Sequence, residues 1–140
     1  MGNYLRKLEK ENKSLIIVKN GNIIFTSKTH GMAPLLEAIE KIGVSQLVGS
    51  IVVDKALGKA AALLICYIKA KEVYAKIMSG NARKLLSIFK MKYTAETIIP
   101  EIMNKSGTDI CPFEKAVLDI NDPEEGYKKL KIMSMRIKRN

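Results

Sequence analysis

The residues that decide the fold run from Gly49 to Met78 and read GSIVVDKALGKAAALLICYIKAKEVYAKIM. Gly49–Val53 is a short apolar run, typical of a strand that is buried on both faces of a sheet. Gly58–Ile68 has almost no polar side chain beyond Lys59, which predicts a helix packed on most of its sides. Glu72–Met78 follows as a second strand. This order favours two parallel strands joined by a crossover helix.

The segment before this stretch predicts a hairpin between two helices. Ser14–Lys19 and Asn22–Lys28 are β-branched runs joined by Asn20-Gly21. An Asn-Gly pair between such runs is a strong hairpin signal, because both turn residues adopt positive φ angles. The apolar spacing in Asn3–Asn12 and Met32–Ile42 predicts an amphipathic helix on each side of the hairpin.

The segment after Met78 continues the alternation. We predict a helix over Ala82–Phe89, a final strand over Met91–Ala95, a helix over Phe113–Leu118 and a basic helix over Glu124–Arg139. The whole order predicts one α/β domain, a three-layer α/β/α sandwich with a mixed sheet of about five strands opened by the hairpin. Its core is expected at about 14–118, with the basic C-terminal helix at about 124–139.

Composition sets the class of protein. The chain has 140 residues and a formal net charge of +10, most of it from lysine. This charge is typical either of a lysine-rich composition or of a protein attracted to nucleic acid or phosphate. Cys66 and Cys111 form no disulfide framework, and no segment resembles a signal peptide or a membrane span. We therefore expect a cytoplasmic protein without a membrane partner.

Two stretches carry a resemblance to a known family. They are VVDKALGKAAA at Val52–Ala62 and GTDICPFEKAV at Gly107–Val117. Together with a hairpin followed by three helix–strand steps, they resemble a family of short, uncharacterised bacterial and archaeal proteins with a cytidine-deaminase-like fold. The resemblance spans about Ser14 to Leu118, and it implies a cytidine-deaminase-like sheet for this chain.

The chain departs from the zinc deaminases of that fold. Those enzymes carry H-x-E at the start of one helix and P-C-x-x-C at the start of the next. Here the first motif would fall on His30-Gly31-Met32 and the second on Asp54–Lys59, which contains no cysteine. Because a zinc site needs three such ligands, we predict no metal, no cofactor and no zinc-dependent deamination.

The crevice at the carboxyl ends of the strands is the first candidate site. Asp54 and Lys55 follow a predicted strand, and Gly58 and Lys59 open a predicted helix whose free N–H groups attract anions. We predict that Lys55, Gly58, Lys59 and, from the second stretch, Glu114 bind a nucleotide-like or otherwise phosphorylated small molecule. In the alternative interpretation, Asp54 caps the helix, Gly58 allows close packing and the lysines are solvated.

Three residues are candidates for catalysis. Cys111 precedes Pro112 at the start of a predicted helix, where a thiol is activated by the helix dipole, and Glu114 and Lys115 lie close enough in sequence to tune it. His30 and Asp54 are candidates for proton transfer in the same crevice. The alternatives are a partly buried apolar cysteine and a surface histidine.

The basic helix predicted at Glu124–Arg139 supports a third function. It holds six lysine and arginine residues but only one aromatic, Tyr127. A helix of this kind binds nucleic acid weakly and without sequence preference, or it packs one face and solvates the other. The sequence thus leaves open a small-molecule site, a non-catalytic regulatory module and a nucleic-acid-binding protein, with self-association also open.

Overall fold

The computed structural model describes the backbone of residues 2–139 and the side chains of residues 3–137. Twelve elements follow one another along this part of the chain. They are α1 (Gly2–Lys10), β1 (Leu15–Lys19), β2 (Asn22–Ser27), α2 (Ala33–Ile42), α3 (Val44–Leu47), β3 (Ile51–Leu57), α4 (Lys59–Tyr67), β4 (Glu72–Ser79), α5 (Gly80–Ile88), β5 (Lys92–Ile99), α6 (Pro112–Ala116) and α7 (Pro123–Arg139).

The five strands form one mixed sheet in the order β2-β1-β3-β4-β5. β1 is antiparallel to both of its neighbours, whereas β3, β4 and β5 are parallel. The hairpin turn is Asn20-Gly21, with φ angles of 52° and 79°, as the Asn-Gly signal predicts. The prediction of a mixed α/β sheet of about five strands, opened by a hairpin, is confirmed.

Alternating side chains of the strands enter two separate cores. On one face, Ile16 and Val53 pack with Leu5 and Leu8 of α1. On the other face, side chains such as Val52 join a larger core that includes α2, α4 and α5. Because residues two apart on a strand share a face, this alternation places the sheet between α1 and the other helices. The arrangement is consistent with a three-layer α/β sandwich.

α4 lies between the sheet and α7, which explains its apolar composition. Its residues from Lys59 to Cys66 are buried. A Cβ atom on Gly126 of α7 would lie 2.9 Å from Cδ1 of Leu63, so glycine permits the close approach of the two helices. Leu130 of α7 is fully buried in the same core. The packed interior therefore includes α1 and α7, which lie outside the predicted core of about 14–118.

Two strand boundaries differ from those predicted. β3 continues past Val53 to Leu57, because β1 pairs with it as far as Asp54 and β4 as far as Leu57. β5 continues past Ala95 to Ile99, opposite Ser79 at the end of β4. Each strand ends where its pairing with the neighbouring strand ends, and this position cannot be predicted from the hydrophobic pattern of one strand alone. No helix in the described part of the chain is both long and apolar enough to cross a membrane.

Candidate functional site

The carboxyl end of the sheet brings the predicted crevice residues close in space. Since β1 is antiparallel to β3, its first residue, Leu15, pairs with Asp54 near the end of β3. The Ser14 hydroxyl shares its one proton between the carbonyl oxygens of Ser27 and Thr29, which holds the loop before α2 against β1. The loop that contains His30 and the start of α4 therefore lie at this end of the sheet.

The N-terminus of α4 holds the carboxylate of Glu114. The backbone N–H of Lys59 donates to its Oε1 at 2.7 Å, and the N–H of Ala60 donates to its Oε2 at 2.8 Å. Glu114 is delivered by α6 and is buried. The position predicted for the anion of a ligand is thus filled by the protein's own carboxylate, and Glu114 binds α4 here.

Gly58 is required by this contact. A Cβ atom at position 58 would lie 2.4 Å from Oε1 and 2.5 Å from Cδ of Glu114, far inside van der Waals contact. The φ angle of Gly58 is −101°, so the glycine provides space and is not needed for backbone conformation. Gly58 therefore serves the close packing of Glu114, which was the alternative interpretation of this residue.

Lys59 is also engaged within the chain. Its side chain is buried, and its ammonium donates a 2.8 Å hydrogen bond to the carbonyl oxygen of Leu118, just after α6. Burial lowers the pKa of Lys59, while Asp119 and Glu114 oppose this effect. The start of α4 therefore holds both the middle of α6 and the segment just after it. The ammonium group of Lys59 therefore contacts the protein itself and does not extend into solvent.

Asp54 is a buried carboxyl group at the same end. Its Oδ1 accepts a 3.3 Å hydrogen bond from the N–H of Ala56 within β3, so it does not cap α4. Burial raises the pKa of Asp54 to about 8, although the amides of Ala56 and Lys55 counteract this rise. A carboxyl group with this pKa is mostly protonated at pH 7, as is typical of groups that move protons.

Lys55 points to the other face of the sheet. It lines a small cavity of about 190 Å³ with Leu8, Glu9 and Lys13 of the α1 region and Lys76 of β4. Lys76 forms an ion pair with Glu9 at 2.6 Å. Asp54 and Lys55 are thus neighbours in sequence but face different layers, because successive side chains of a strand point in opposite directions.

The two remaining catalytic candidates, His30 and Cys111, are less buried than Asp54. His30 is exposed in the loop before α2, and Met32, two residues later, is buried in the core. Cys111 is partly buried and is the N-cap residue of α6, without a side-chain capping bond. Lys115, predicted to tune the thiol, forms an ion pair with Asp109. Within residues 3–137, no three His, Cys, Asp or Glu side chains are grouped to hold a metal ion.

A second, larger cavity lies at the opposite, amino end of the sheet, and we call it the amino-end cavity. It has a volume of about 560 Å³ and is bounded by the α4–β4 loop, the α5–β5 loop and the start of α7. Tyr67, Phe89 and Met91 form apolar walls, and Cys66 also lines it. Ligands of open α/β sheets usually bind at the carboxyl ends of the strands, so this position is unusual.

Three lysines and two acidic residues surround the amino-end cavity, namely Lys69, Lys71, Lys90, Asp122 and Glu124. Lys69 and Lys90 follow the C-cap residues of α4 and α5 and share a left-handed conformation, with φ angles of 54° and 55°. Sequence reasoning missed this cavity, because lysine gives little signal for a left-handed helix end, where glycine is usual. A lysine two residues after the end of each of these two helices was the signal that the sequence offered.

The basic C-terminal helix uses its single aromatic residue in packing. The ring of Tyr127 stacks on that of Tyr67, with centroids 4.3 Å apart and planes within 8°. The ammonium of Lys131 lies 5.7 Å from the centre of the Tyr127 ring, and Lys128 pairs with Glu124. Tyr127 is therefore engaged and does not present a free face for stacking on a base.

Comparison with known proteins identifies the family. The family model TM1506, a domain of unknown function (DUF1893), matches residues 3–133. The chain belongs to this family. A crystal structure of a DUF1893 family protein (TM1506) from Thermotoga maritima is similar, with 35% sequence identity and a TM-score of 0.85. The match covers 94% of this chain and 88% of that chain. No curated protein matches the sequence.

Membership confirms the expected relation to an uncharacterised family, and it extends over the N-terminal helix and most of α7. The family is described as a domain of unknown function, so membership assigns no activity to this chain. The conclusion about function therefore depends on the geometry of the two ends of the sheet.

Proposed function

We propose that the protein binds a small molecule that carries a flat ring and a phosphate group, in the amino-end cavity. The observation that carries this proposal is the cavity itself, whose volume of about 560 Å³ lies within the range of roughly 300 to 1,000 Å³ for small-molecule sites. This proposal keeps the nucleotide-like or phosphorylated ligand that the sequence favours, and it moves the site to the other end of the sheet.

The walls of the cavity suit a flat apolar group. Phe89 is 43% exposed although it is a large aromatic residue, and it lines the cavity with Tyr67 and Met91. Exposed apolar surface in a concave site is the usual place for a ligand ring, because burial of that surface stabilises the complex.

The charges of the cavity suit an anion. Lys69, Lys71 and Lys90 are exposed and form no ion pair among residues 3–137. Asp122 is already engaged, because its Oδ2 accepts the N–H of Glu125 at the start of α7. A lysine ammonium is a common partner of phosphate, so the three flexible lysines favour a phosphate-bearing ligand.

We also propose that the fold is cytidine-deaminase-like and that deaminase chemistry has been lost. In support, a β-hairpin is followed by three helix–strand steps, which is the element order of the resemblance. At the first motif position Met32 is buried in the core, and at the second Glu114 closes the helix start. A binding or regulatory role without catalysis fits a crevice that is closed in this way.

A nucleic-acid-binding role for α7 is the second candidate from the sequence. It remains a prediction that salt dependence would test, since phosphate contacts lose affinity steeply as salt rises. The stacking of Tyr127 on Tyr67 favours the small-molecule site, because it removes the one aromatic ring of this helix from base contacts.

A ligand panel tests the proposed function. Adenosine monophosphate, cytidine monophosphate, ribose 5-phosphate and orthophosphate would each be added to the full chain while the melting temperature is recorded. We expect a nucleoside monophosphate to raise it, since a ligand at about 100 times its Kd stabilises the native state by about 2.7 kcal/mol. The variants Phe89→Ala and Lys90→Ala should lose most of this shift.

The matched control is Lys55→Ala, which removes a lysine from the small cavity near the carboxyl end. This variant should keep the full shift. A shift that is lost in Lys55→Ala and kept in Lys90→Ala would move the site back to the carboxyl end. If all four probes leave the melting temperature unchanged, the proposal of a phosphate-bearing ligand is wrong.

A further inference from the structure

The two edges of the sheet are built differently. β2 at one edge has six residues, and its pairing with β1 is irregular between Ile17 and Val18. β5 at the other edge has eight residues, contains neither glycine nor proline and pairs regularly with β4 along its whole length. Its outer backbone groups have no strand partner in the described part of the chain. Proteins usually blunt long regular edges with bulges, prolines or charged side chains, and β5 has neither a bulge nor a proline.

One face of β5 is also open. Thr94 pairs with Tyr74, which packs in the α1 core, so Thr94 lies on the α1 face of the sheet. Lys92 and Glu96 share this face because they are two residues away on either side. All three are exposed, and Ile98 on the same strand is 41% exposed. This edge of the sheet therefore presents both backbone groups and side chains.

The charges of this face are self-complementary. If two copies of β5 ran antiparallel with Thr94 opposite Thr94, Lys92 of each copy would face Glu96 of the other. Opposite charges directly across two antiparallel strands stabilise their pairing, and like charges oppose it. The two lysine–glutamate contacts are equivalent by symmetry, which is the requirement of a two-fold interface.

We propose that the protein forms a homodimer in which β5 pairs antiparallel with β5 of a second copy, with the two-fold axis at Thr94. The two sheets then form one continuous sheet of ten strands. Lys92 and Glu96 set the register, and the backbone groups of the free edge supply the hydrogen bonds.

This register also covers apolar surface. Ile98 is 41% exposed, and the position opposite it in the other copy is Lys90, just before the start of β5. Ile98 would therefore approach the other copy near the strand end and lose contact with water. The start of β5 borders the amino-end cavity, so the second copy would lie at its rim.

Charge reversal tests the register in the full chain. Sedimentation equilibrium should find a dimer for the natural sequence. Lys92→Glu and Glu96→Lys should each raise the dimer dissociation constant by about tenfold or more, because like charges then face each other twice. The double variant, with both reversals, should return it to within about threefold of the starting value, since the pairs are restored.

Controls separate this effect from net charge and from misfolding. Lys28→Glu and Glu40→Lys make the same charge changes at exposed positions outside β5 and should leave the dissociation constant unchanged. Because Lys92 also contacts Glu72 within the chain, circular dichroism and thermal melting accompany each variant. A monomer at about 100 μM, or a dimer unaffected by both reversals, would overturn the proposal.

A disulfide test measures the same geometry directly. Residues opposite each other in antiparallel strands have Cα atoms about 4.5 to 5.5 Å apart, within disulfide range. In a Cys111→Ser background, Thr94→Cys should therefore form a covalent dimer on oxidation. Thr97→Cys should not, because its two copies would lie about 20 Å apart along the strands. Faster cross-linking at position 97 than at position 94 would show a different interface.

Discussion

The two ends of the central sheet differ in what fills them. At the carboxyl end, the start of α4 is occupied by the carboxylate of Glu114, and the ammonium of Lys59 is bound to Leu118. At the amino end, Phe89 and three lysines surround an open cavity of about 560 Å³. The usual position of a ligand site in this class of fold is closed by the protein itself, and the unusual position is open.

The difference shows that a free helix N-terminus indicates which chemical group binds there, but not whether that group belongs to a ligand or to the protein. Free N–H groups and a glycine call for an oxyanion, and that oxyanion can come from a ligand or from another part of the chain. Here α6 supplies it. The carboxyl end is therefore a point where the fold is held together, and the amino end keeps the open cavity that we propose as the ligand site.

The largest expected effect comes from removal of the carboxylate that closes the carboxyl end. Glu114→Ala leaves the N–H groups of Lys59 and Ala60 without their acceptor in a buried position. Hydrogen bonds to charged groups contribute about 1.5 to 3 kcal/mol each, so we expect the loss of both to lower the free energy of unfolding by about 3 to 6 kcal/mol. Urea denaturation measures it.

Two variants sharpen this result. Glu101→Ala removes an exposed carboxylate from the loop after β5 and should change the free energy of unfolding by less than about 0.5 kcal/mol. Gly58→Ala should cost about 1 to 3 kcal/mol by overpacking, because its Cβ would meet Oε1 of Glu114 at 2.4 Å. The double variant Gly58→Ala and Glu114→Ala should lose less than the sum of the two single losses. Strict additivity would mean that the two residues do not interact.

A smaller effect is expected from Asp54 at the same end. Its pKa is raised by burial from 3.8 to about 8 in the folded protein. Between these values the unfolded chain has released the proton and the folded chain retains it, so stability falls as pH rises. The slope from this group is at most about 1.4 kcal/mol per pH unit.

Asp54→Asn removes this contribution while it keeps the size of the side chain. From pH 5 to pH 7.5 the free energy of unfolding should therefore fall less in the variant than in the natural protein. Glu114, whose pKa burial also raises, leaves part of the slope in both proteins. Urea denaturation at several pH values measures the difference. A difference that stays constant with pH would show that Asp54 is ionised in the folded state.

The smallest expected effect is a difference in reactivity between the two cysteines, of which Cys66 lies at the amino end of the sheet and Cys111 at the carboxyl end. Cys66 lines the amino-end cavity but is only 9% exposed, and burial raises the pKa of its thiol to about 11. Cys111 precedes α6 and is partly buried. We expect a thiol reagent at pH 8 to modify Cys111 at least about tenfold faster, because the reactive species is the thiolate. Mass spectrometry of the labelled peptides checks this order, and Cys111→Ser should abolish the fast phase.

The sequence predicted most elements, and each error has a physical cause. The hairpin at Asn20-Gly21 and the apolar α4 were found because their signals are local. The ends of β3 and β5 were placed too early, since each strand continues for as long as its neighbour does. The short helix α3, Val44–Leu47, was not predicted, because four residues show no helical periodicity.

The candidate site was predicted in part. Gly58, Lys59 and Glu114 were selected from two separate stretches, and the structure brings them into direct contact. Their predicted partner was a ligand, whereas the observed partner of each is another part of the chain. Lys55 was grouped with Asp54 because the strand was thought to end there. Within a longer β3 the two side chains face opposite layers.

The sequence by itself determined the order of helices and strands, the hairpin turn, the burial of α4 and the absence of the deaminase motifs, because local periodicity and residue identity encode these features. Only the tertiary structure decided that Glu114 closes the start of α4, that Asp54 is buried, and that the open cavity lies between the ends of α4, α5 and α7. These features depend on segments far apart in the chain, and contacts of that kind have no local signal in the sequence.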